Sequence, residues 1–164
     1  MLTASSDTVS HTVPDRFHRF VEQLTKGLQE DDDILKNKVL LEINEDFHQA
    51  DKLNFALESD ILQQLLSCFS HKEAHIRELA SRAVLKIANT EMGRVVFVQN
   101  NLIEVTASLF DDPEKQIRNN AYTCFINLAQ FTFGIQSVID ADILRVLVEK
   151  LVLEKETEIL ILIL

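Results

Sequence analysis

The sequence is poor in the residues that make tight turns. Its 164 residues include three glycines, two prolines and no tryptophan. β-Sandwiches and barrels need many short turns rich in glycine and proline, so this composition disfavours both folds. Leucine and isoleucine are abundant, and long stretches run without a helix-breaking residue. The chain is therefore predicted to be all-α.

Basic residues are also scarce. Lysine and arginine number 16 against 26 acidic residues, which gives a formal net charge of −10. No basic run reaches three residues, so a nucleic acid or an anionic membrane surface would be repelled overall. A membrane-crossing helix needs an apolar stretch of about 18 residues, and none is present. We therefore predict neither nucleic acid nor membrane as a partner.

Cysteine is limited to two residues. Cys68 and Cys124 both fall within apolar helical patterns, which indicates buried thiols in a reducing compartment such as the cytoplasm. The opening segment, MLTASSDTVSHTV, is rich in serine and threonine and lacks the pattern of a secretory signal. Residues 1–13 are predicted to be a flexible leader, followed by one repeat domain over residues 14–164.

One helical phrase occurs twice in the chain. IRELASRAVLKIA, residues 76–88, is followed 41 positions later by IRNNAYTCFINLA, residues 117–129. Taken as anchors, Ile34, Ile76, Ile117 and Ile159 divide the chain at nearly equal intervals. A period of about 40 residues is typical of helical repeats that cover one another's apolar faces.

Each unit is predicted to contain three helices. The long helix over 76–88 has apolar residues at the spacing of a one-sided amphipathic helix. A glycine, Gly93 or Gly134, then leads into a short helix, and a helix of about three turns follows. In the turn before the next long helix, Ser70 and Asp112 are predicted N-caps. The predicted units cover residues 14–58, 59–100, 101–141 and, in part, 142–164.

This pattern predicts an armadillo/HEAT-like right-handed α-solenoid of about three and a half repeats. The three-helix armadillo arrangement is preferred to the two-helix HEAT arrangement, because the short segment after Gly93 recurs after Gly134. In either case a single unit cannot bury its own apolar stripe, so neighbouring units must stack.

Motifs for catalysis or cofactor binding are absent from the sequence. It contains no glycine-rich phosphate loop and no nucleophile elbow. Cys68, His71 and His75 superficially suggest zinc, but their pattern fits a surface turn beside a buried thiol better. We predict a protein that is not an enzyme and has no cofactor, metal or small-molecule substrate. A small enzyme remains a remote alternative.

Polar residues recur on one side of the long helices. Asn44, Lys86 and Asn127 stand ten positions after successive anchors, and Asn120 and Thr123 stand three and six positions after Ile117. In a stacked solenoid this side of each long helix would line a continuous groove. The five side chains are predicted to bind a partner protein there, and an ordinary solvated face is the alternative.

The last residues, ETEILILIL, end in an apolar run. Such a stripe would leave a large apolar surface uncovered. Two interpretations follow, a contact with the next repeat of a longer array or docking on a partner. The residues assigned to this contact are Ile159, Leu160, Ile163 and Leu164.

The sequence also resembles known families. CFINLA, with Asn127, resembles the armadillo consensus, in which an asparagine at this place faces the groove, and Lys86 departs from that pattern. Residues 87–151 resemble radial spoke armadillo proteins of motile cilia and flagella. This resemblance implies a non-enzymatic scaffold in the cytoplasm, the cytoskeleton and the axoneme, with radial spoke or other axonemal subunits as partners. The alternative is a cytosolic adaptor or co-chaperone that binds extended peptides.

Overall fold

The structure is a computed structural model that describes residues 13–100 and 102–164, without the side chains of residues 13–15 and 55. The predicted leader, residues 1–13, lies outside the described residues except for its last position. The described residues form eleven α-helices and no strand. The helices are α1 Val13–Gln29, α2 Asp33–Asp46, α3 Ala50–Leu57, α4 Ile61–Ser67, α5 Ala74–Ala88, α6 Glu91–Gln99, α7 Leu102–Ala107, α8 Lys115–Leu128, α9 Thr132–Asp140, α10 Ile143–Leu153 and α11 Thr157–Ile163.

The helices are arranged in three layers, which confirms the predicted stack. Layer 1 consists of α2, α3 and α4, layer 2 of α5, α6 and α7, and layer 3 of α8, α9 and α10. The long helices α2, α5, α8 and α11 contact one another in that order, so they lie side by side. Helix α1 packs on the other side of layer 1, against all three of its helices. No helix in the described part of the chain has the length and apolar character needed to cross a membrane.

One continuous apolar core runs through the stack, from Val21 in α1 to Ile159 in α11. Each long helix buries a stripe between its neighbours. In α5 the buried set includes Ile76, Ala80 and Val84, which recur at helical spacing. Burial between layers is therefore what holds each helix in place, as expected for a chain whose short helices would be marginal alone.

Two glycines allow the second helix of a layer to approach the end of the first. A Cβ atom on Gly93 would lie 1.9 Å from the carbonyl oxygen of Ile87, and one on Gly134 would lie 2.0 Å from that of Leu128. Neither glycine has a positive φ angle, so the requirement is for space and not for an unusual backbone conformation. The prediction that these glycines clear the turn between two helices is confirmed.

The anchor assigned to the first layer was wrong by one residue. Ile76, Ile117 and Ile159 are buried as predicted, whereas Ile34 is 83% exposed. Leu35, which stands one repeat before Ile76, packs against the core in its place. One residue turns a helix by about 100°, so a single-residue error in alignment moves a side chain from the core to the surface.

The two N-caps assigned from sequence were also wrong. The N-caps of α5 and α8 are Glu73 and Glu114, and neither makes a side-chain capping bond. Asp112 lies two residues before the cap of α8, where its carboxylate accepts the N–H of Glu114 at 2.9 Å. That carboxylate also accepts a hydrogen bond from Arg77 of the previous layer, at 2.7 Å.

Contacts between layers and the candidate protein-binding face

A cation stands at the same place in every layer, near the start of the long helix. Lys36, Arg77 and Arg118 follow one another at equal intervals of one repeat. Each donates a hydrogen bond to the backbone carbonyl six residues before it, and both arginines also reach the carbonyl five residues before. We call these three residues the clamp cations. They close the loop that precedes each long helix.

The two arginines also reach the next loop along the stack. Arg77 donates from Nε and Nη2 to the two carboxylate oxygens of Asp112, at 2.7 and 3.2 Å. Arg118 does the same with Glu154, at 2.9 and 3.1 Å. Both pairs are bidentate, and all four side chains are largely buried. Arg77 thus joins α5 to the loop before α8, and Arg118 joins α8 to the loop before α11, with the geometry that makes arginine–carboxylate contacts strong.

The contact between layer 1 and the loop before α5 uses different residues at the same place. His71 takes the position of Asp112 and accepts the N–H of Glu73 through Nδ1, at 3.1 Å. Its Nε2 lies 3.2 Å from the carboxylate of Asp33. Because Nδ1 acts as an acceptor, the ring carries its proton on Nε2, which faces the carboxylate. This contact is more exposed than the two arginine pairs.

Stability should depend on pH through Glu154. Hydrogen bonds from Arg118 lower the pKa of this carboxyl below its ordinary value. Because the folded-state pKa is the lower one, the unfolded chain binds more protons in acid. The stabilisation is complete above the unfolded glutamate pKa of about 4.3 and is lost as the pH falls through the folded-state value.

We therefore expect the urea midpoint of the wild type to fall more steeply than that of Glu154→Gln between about pH 6 and about pH 3. Glu158→Gln is the control, since Glu158 is exposed and its pairing with Lys115 is screened by water. In this control the urea midpoint should fall with decreasing pH as steeply as in the wild type. If the midpoint of Glu154→Gln falls just as steeply, the carboxylate of Glu154 does not cause the loss of stability in acid.

The sequence contains a signal for these contacts that the groove prediction missed. Both copies of the repeated phrase begin with isoleucine followed by arginine, and an acid follows each arginine 35 or 36 positions later. The groove prediction considered only positions further along the helix. Opposite charges separated by nearly one repeat mark both pairs in the sequence.

Of the five residues assigned to the groove, two are buried between layers. Asn120 is 3% exposed, and its Nδ2 donates to the hydroxyl of Ser81 at 2.9 Å. Asn44 is also buried, and its Nδ2 donates to the carbonyl of Leu79 in the next layer at 2.9 Å. The prediction that these two amides face a partner was wrong. The Nδ2 groups of both side chains find partners on neighbouring long helices, whereas Oδ1 of Asn44 is buried without a partner among the described residues.

The other three groove residues, Lys86, Thr123 and Asn127, are partly exposed. Lys86 donates from Nζ to the carbonyl of Asn44, and Asn127 donates from Nδ2 to Oδ1 of Asn89. Thr123 donates to the carbonyl of Asn119 within its own helix, at 2.8 Å. Lys86 therefore links α5 to α2, and Asn127 links α8 to the end of α5. Both side chains remain partly exposed to solvent. We call the exposed side of α2, α5 and α8 the long-helix face.

A cleft of about 290 Å³ opens between the starts of α2 and α5. The carboxylates of Asp33 and Glu73 line it, together with the exposed side chain of Ile34. Asn37 also lines it, and its Oδ1 is buried without a hydrogen-bond partner among the described residues. The carboxylate of Asp33 is already paired with His71 and Lys72, both at 3.2 Å, so the cleft presents the carboxylate of Glu73 and the apolar side chain of Ile34.

The C-terminal stripe is not a uniform exposed surface. Ile159 is fully buried where α11 packs on α8, so its assignment as a partner contact was wrong. Leu160 and Ile163 are half-buried, and Ile163 packs against the core. Leu164 is 92% exposed. A helix as short as α11 cannot point every side chain outward once one side packs against a neighbour.

The cysteine and histidine residues near the first turn do not converge on one point. Cys68 is buried, and burial raises the pKa of its thiol. His71 is bonded as described above, and His75 is exposed on α5. In the described part of the chain, no three His, Cys, Asp or Glu side chains are grouped closely enough to hold a metal ion.

A family model matches part of the chain. It is described as the Vacuolar 14 Fab1-binding region, and it covers residues 48–128, which is just under half of the chain. The matched segment begins just after α2, contains α3 and α4 of layer 1 and all of layer 2, and ends with α8. The resemblance therefore falls on the layers in which the phrase repeats.

Solved structures resemble the whole stack. An engineered protein aligns over 88% of this chain and 59% of its own length, with 20% identity and a TM-score of 0.76. A designed armadillo repeat protein in complex with the peptide (KR)4 aligns over 91% and 65%, with 17% identity and a TM-score of 0.76. Computationally designed armadillo repeat proteins for modular peptide recognition align over 87% and 61%, with 18% identity and a TM-score of 0.78. This chain thus spans less than two thirds of each of these structures, and its fold is an armadillo-type α-solenoid.

Proposed function

We propose that this protein is a non-enzymatic scaffold that binds another protein on the long-helix face. The proposal is supported by the side-by-side stacking of α2, α5 and α8 and by the partial exposure of Lys86 on α5 and of Thr123 and Asn127 on α8. Extended surfaces of this kind are what helical-repeat proteins use for binding. Binding would depend on complementary shape and surface chemistry, and no covalent bond is made or broken.

The favoured partner segment is basic and carries apolar side chains. The chain has a net charge of −10, and the cleft at the start of the long-helix face is lined by Asp33 and Glu73 beside the exposed Ile34. A cationic group would be attracted to Glu73 and would compete with Lys72 for Asp33, and an apolar side chain could cover Ile34. One of the structures of similar fold binds the peptide (KR)4, which has this charge.

The partner that we favour is a radial spoke or other axonemal subunit, which would place the protein in the cytoplasm and cytoskeleton of motile cilia and flagella. This choice rests on the resemblance of residues 87–151 to radial spoke head protein fourteen. The second candidate is a scaffold that binds a Fab1-like protein, as the description of the family model says of its matched region. A cytosolic adaptor for extended peptides is the third.

The binding face is tested with a double variant, Lys86→Ala with Asn127→Ala. It should reduce the recovery of radial spoke subunits from an extract of ciliated cells at least about tenfold. A loss of about 1.4 kcal/mol of binding free energy is enough to lower the affinity by that factor. Each side chain also donates a hydrogen bond to the previous layer, so the melting temperature should fall modestly, and binding is compared at a temperature at which both proteins are folded. Lys26→Ala with Asn54→Ala, on exposed residues of α1 and α3, is the control and should bind like the wild type.

Extract from non-ciliated cells separates the candidates. Recovery of a Fab1-like protein or of client peptides in place of spoke subunits would favour the second or third candidate over the first. Binding of the (KR)4 peptide, measured by fluorescence polarisation, tests the charge argument on its own. It should weaken with added salt and with Asp33→Asn. If the double variant on the long-helix face binds every partner as the wild type does, that face is not the binding surface.

A further inference from the structure

The helices α2 and α5 are tied together at the end of α2. There Nδ2 of Asn44 donates to the carbonyl of Leu79 in α5 at 2.9 Å, and Nζ of Lys86 in α5 donates to the carbonyl of Asn44. Both bonds run between the two helices, so the last turn of α2 is fixed relative to α5. We call the contact between α2 and α5 the first junction.

The start of the first junction is held less firmly. Asp33 contacts His71 and Lys72, each at 3.2 Å, and its side chain is 38% exposed. Exposed ion pairs contribute little, because water screens them and fixing the side chains costs entropy. The clamp cation of this layer, Lys36, bonds the carbonyl of Glu30, and within the described ranges it has no carboxylate partner.

An unfilled cleft lies at the same place. It measures about 290 Å³ between the first turns of α2 and α5, and side chains around such a space lack the contacts that a packed neighbour would supply. Asn37 lines the cleft, and its Oδ1 is buried with no hydrogen-bond partner among the described residues. If the start of α2 moved away from α5, water could reach this oxygen. Opening would therefore gain a hydrogen bond that the closed form lacks.

The contact between α5 and α8, which we call the second junction, is held along its whole length. At its start Asp112, whose side chain is 5% exposed, accepts two hydrogen bonds from Arg77. At its end Asn127 donates to Asn89, and a buried amide bonds across its middle. The apolar core is continuous through both junctions, so the polar contacts make the difference between them.

We propose that the first junction is a hinge, at which the start of α2 moves away from the start of α5 while the end of α2 stays in place. Asn44 is the pivot, because it takes part in both bonds described above. The movement widens the cleft between Ile34 and His75, so the long-helix face has two shapes at its start. Such local openings occur where a fold has few buried contacts, and the second junction stays closed.

The first test compares distances across the two junctions in the full chain without a partner. Ile34, His75 and Gln116 occupy equivalent positions in successive layers, and all three are exposed. Nitroxide labels on Ile34→Cys with His75→Cys should show a distribution of separations at least about twofold wider than labels on His75→Cys with Gln116→Cys. Dipolar broadening measures such separations, since packed helices lie about 8–10 Å apart. Cys68 and Cys124 are buried, and the wild type treated with the label supplies the background.

The second test transfers the contact of the second junction to the first. Lys36 stands one repeat before Arg77, and His71 stands one repeat before Asp112, so Lys36→Arg with His71→Asp installs an arginine–carboxylate pair at the first junction. The double variant should narrow the first distribution to the width of the second. His71→Asp alone is the control. Its new carboxylate has no arginine and lies near Asp33, so the distribution should stay wide.

Two results would overturn the proposal. One is an equal width for both label pairs in the wild type. The other is a Lys36→Arg, His71→Asp variant that is folded by circular dichroism and keeps the wide distribution. If that variant does not fold, the reciprocal exchange, Arg77→Lys with Asp112→His, should widen the distribution across the second junction, and an unchanged width there counts against the hinge. The inference does not rest on the proposed function, because every distance is measured without a partner.

Discussion

Replacing Gly134 with alanine should lower the free energy of unfolding by about 3 kcal/mol, near the upper end of what overpacking in a folded protein usually produces. The added Cβ would lie 2.0 Å from the carbonyl oxygen of Leu128 and 2.6 Å from the ring of Phe131. A backbone carbonyl cannot rotate away as a side chain can, so α9 must move away from the end of α8. Gly93→Ala should behave in the same way, because its Cβ would lie 1.9 Å from the carbonyl oxygen of Ile87.

The control for this prediction is Gly27→Ala, in the last turn of α1. Its Cβ would meet a methyl group of Val39 at 2.7 Å, which is close, but the obstacle is a side chain. Alanine also has a higher helix propensity than glycine, which offsets part of the clash. Denaturation midpoints followed by circular dichroism would give all three values. If alanine lowers the free energy of unfolding equally at Gly27 and Gly134, the close approach of α9 to the carbonyl of Leu128 is not the reason that position 134 requires glycine.

Replacing Arg118 with methionine should destabilise the protein by about 3 kcal/mol or more, because it leaves the largely buried carboxylate of Glu154 without its cation. Methionine retains most of the apolar length of the side chain, so the lost volume is small. The carbonyls of Asp112 and Pro113 also lose their donor. The expected loss therefore includes the loosening of the loop that precedes α8.

The matched control is Arg145→Met, which also breaks two ion pairs, with Asp142 and Glu149. Those three side chains are exposed, so the expected loss is about 0.5 kcal/mol. A second comparison adds Glu154→Gln to Arg118→Met. It should restore part of the stability, because an amide is less costly to bury than an unpaired charge. If Arg118→Met and Arg145→Met have the same effect, the clamp cations do not join the layers energetically.

The clamp cations also explain why the layers keep a regular spacing. Lys36, Arg77 and Arg118 each hold the loop before their own helix. Arg77 and Arg118 in addition hold the loop before the next long helix. A substitution in one of these arginines therefore disturbs two loops and not one. In a protein whose stability is a sum of layers and the contacts between them, such a change weakens an interface and leaves the helices themselves intact.

Much of the fold could be predicted because its signals are local. The apolar stripe of Ile76, Ala80 and Val84 lies within three turns of one helix, and Gly93 and Gly134 stand one repeat apart, each shortly after the end of a long helix. The first layer was harder. Its long helix carries Ile34 beside Leu35, and either could serve as the anchor in the sequence. The structure places Leu35 against the core and leaves Ile34 exposed.

The candidate site could be predicted only in part. Lys86, Thr123 and Asn127 are partly exposed on the long-helix face, whereas Asn44 and Asn120 are bonded inside the stack. All five residues stand at helical positions that could line a groove. Their position in the helix does not show, however, whether a neighbouring layer covers the side chain. The two arginine–carboxylate pairs were missed for a related reason, since each joins residues 35 or 36 positions apart.

The sequence by itself determined the helices, their repetition and the need for layers, because amphipathic spacing and glycine placement act within one or two turns of the chain. The tertiary structure alone decided which polar side chains remain free and which join the layers. Those contacts form between residues about one repeat apart, and a rotation of a helix by one residue, about 100°, exchanges a buried side chain for an exposed one.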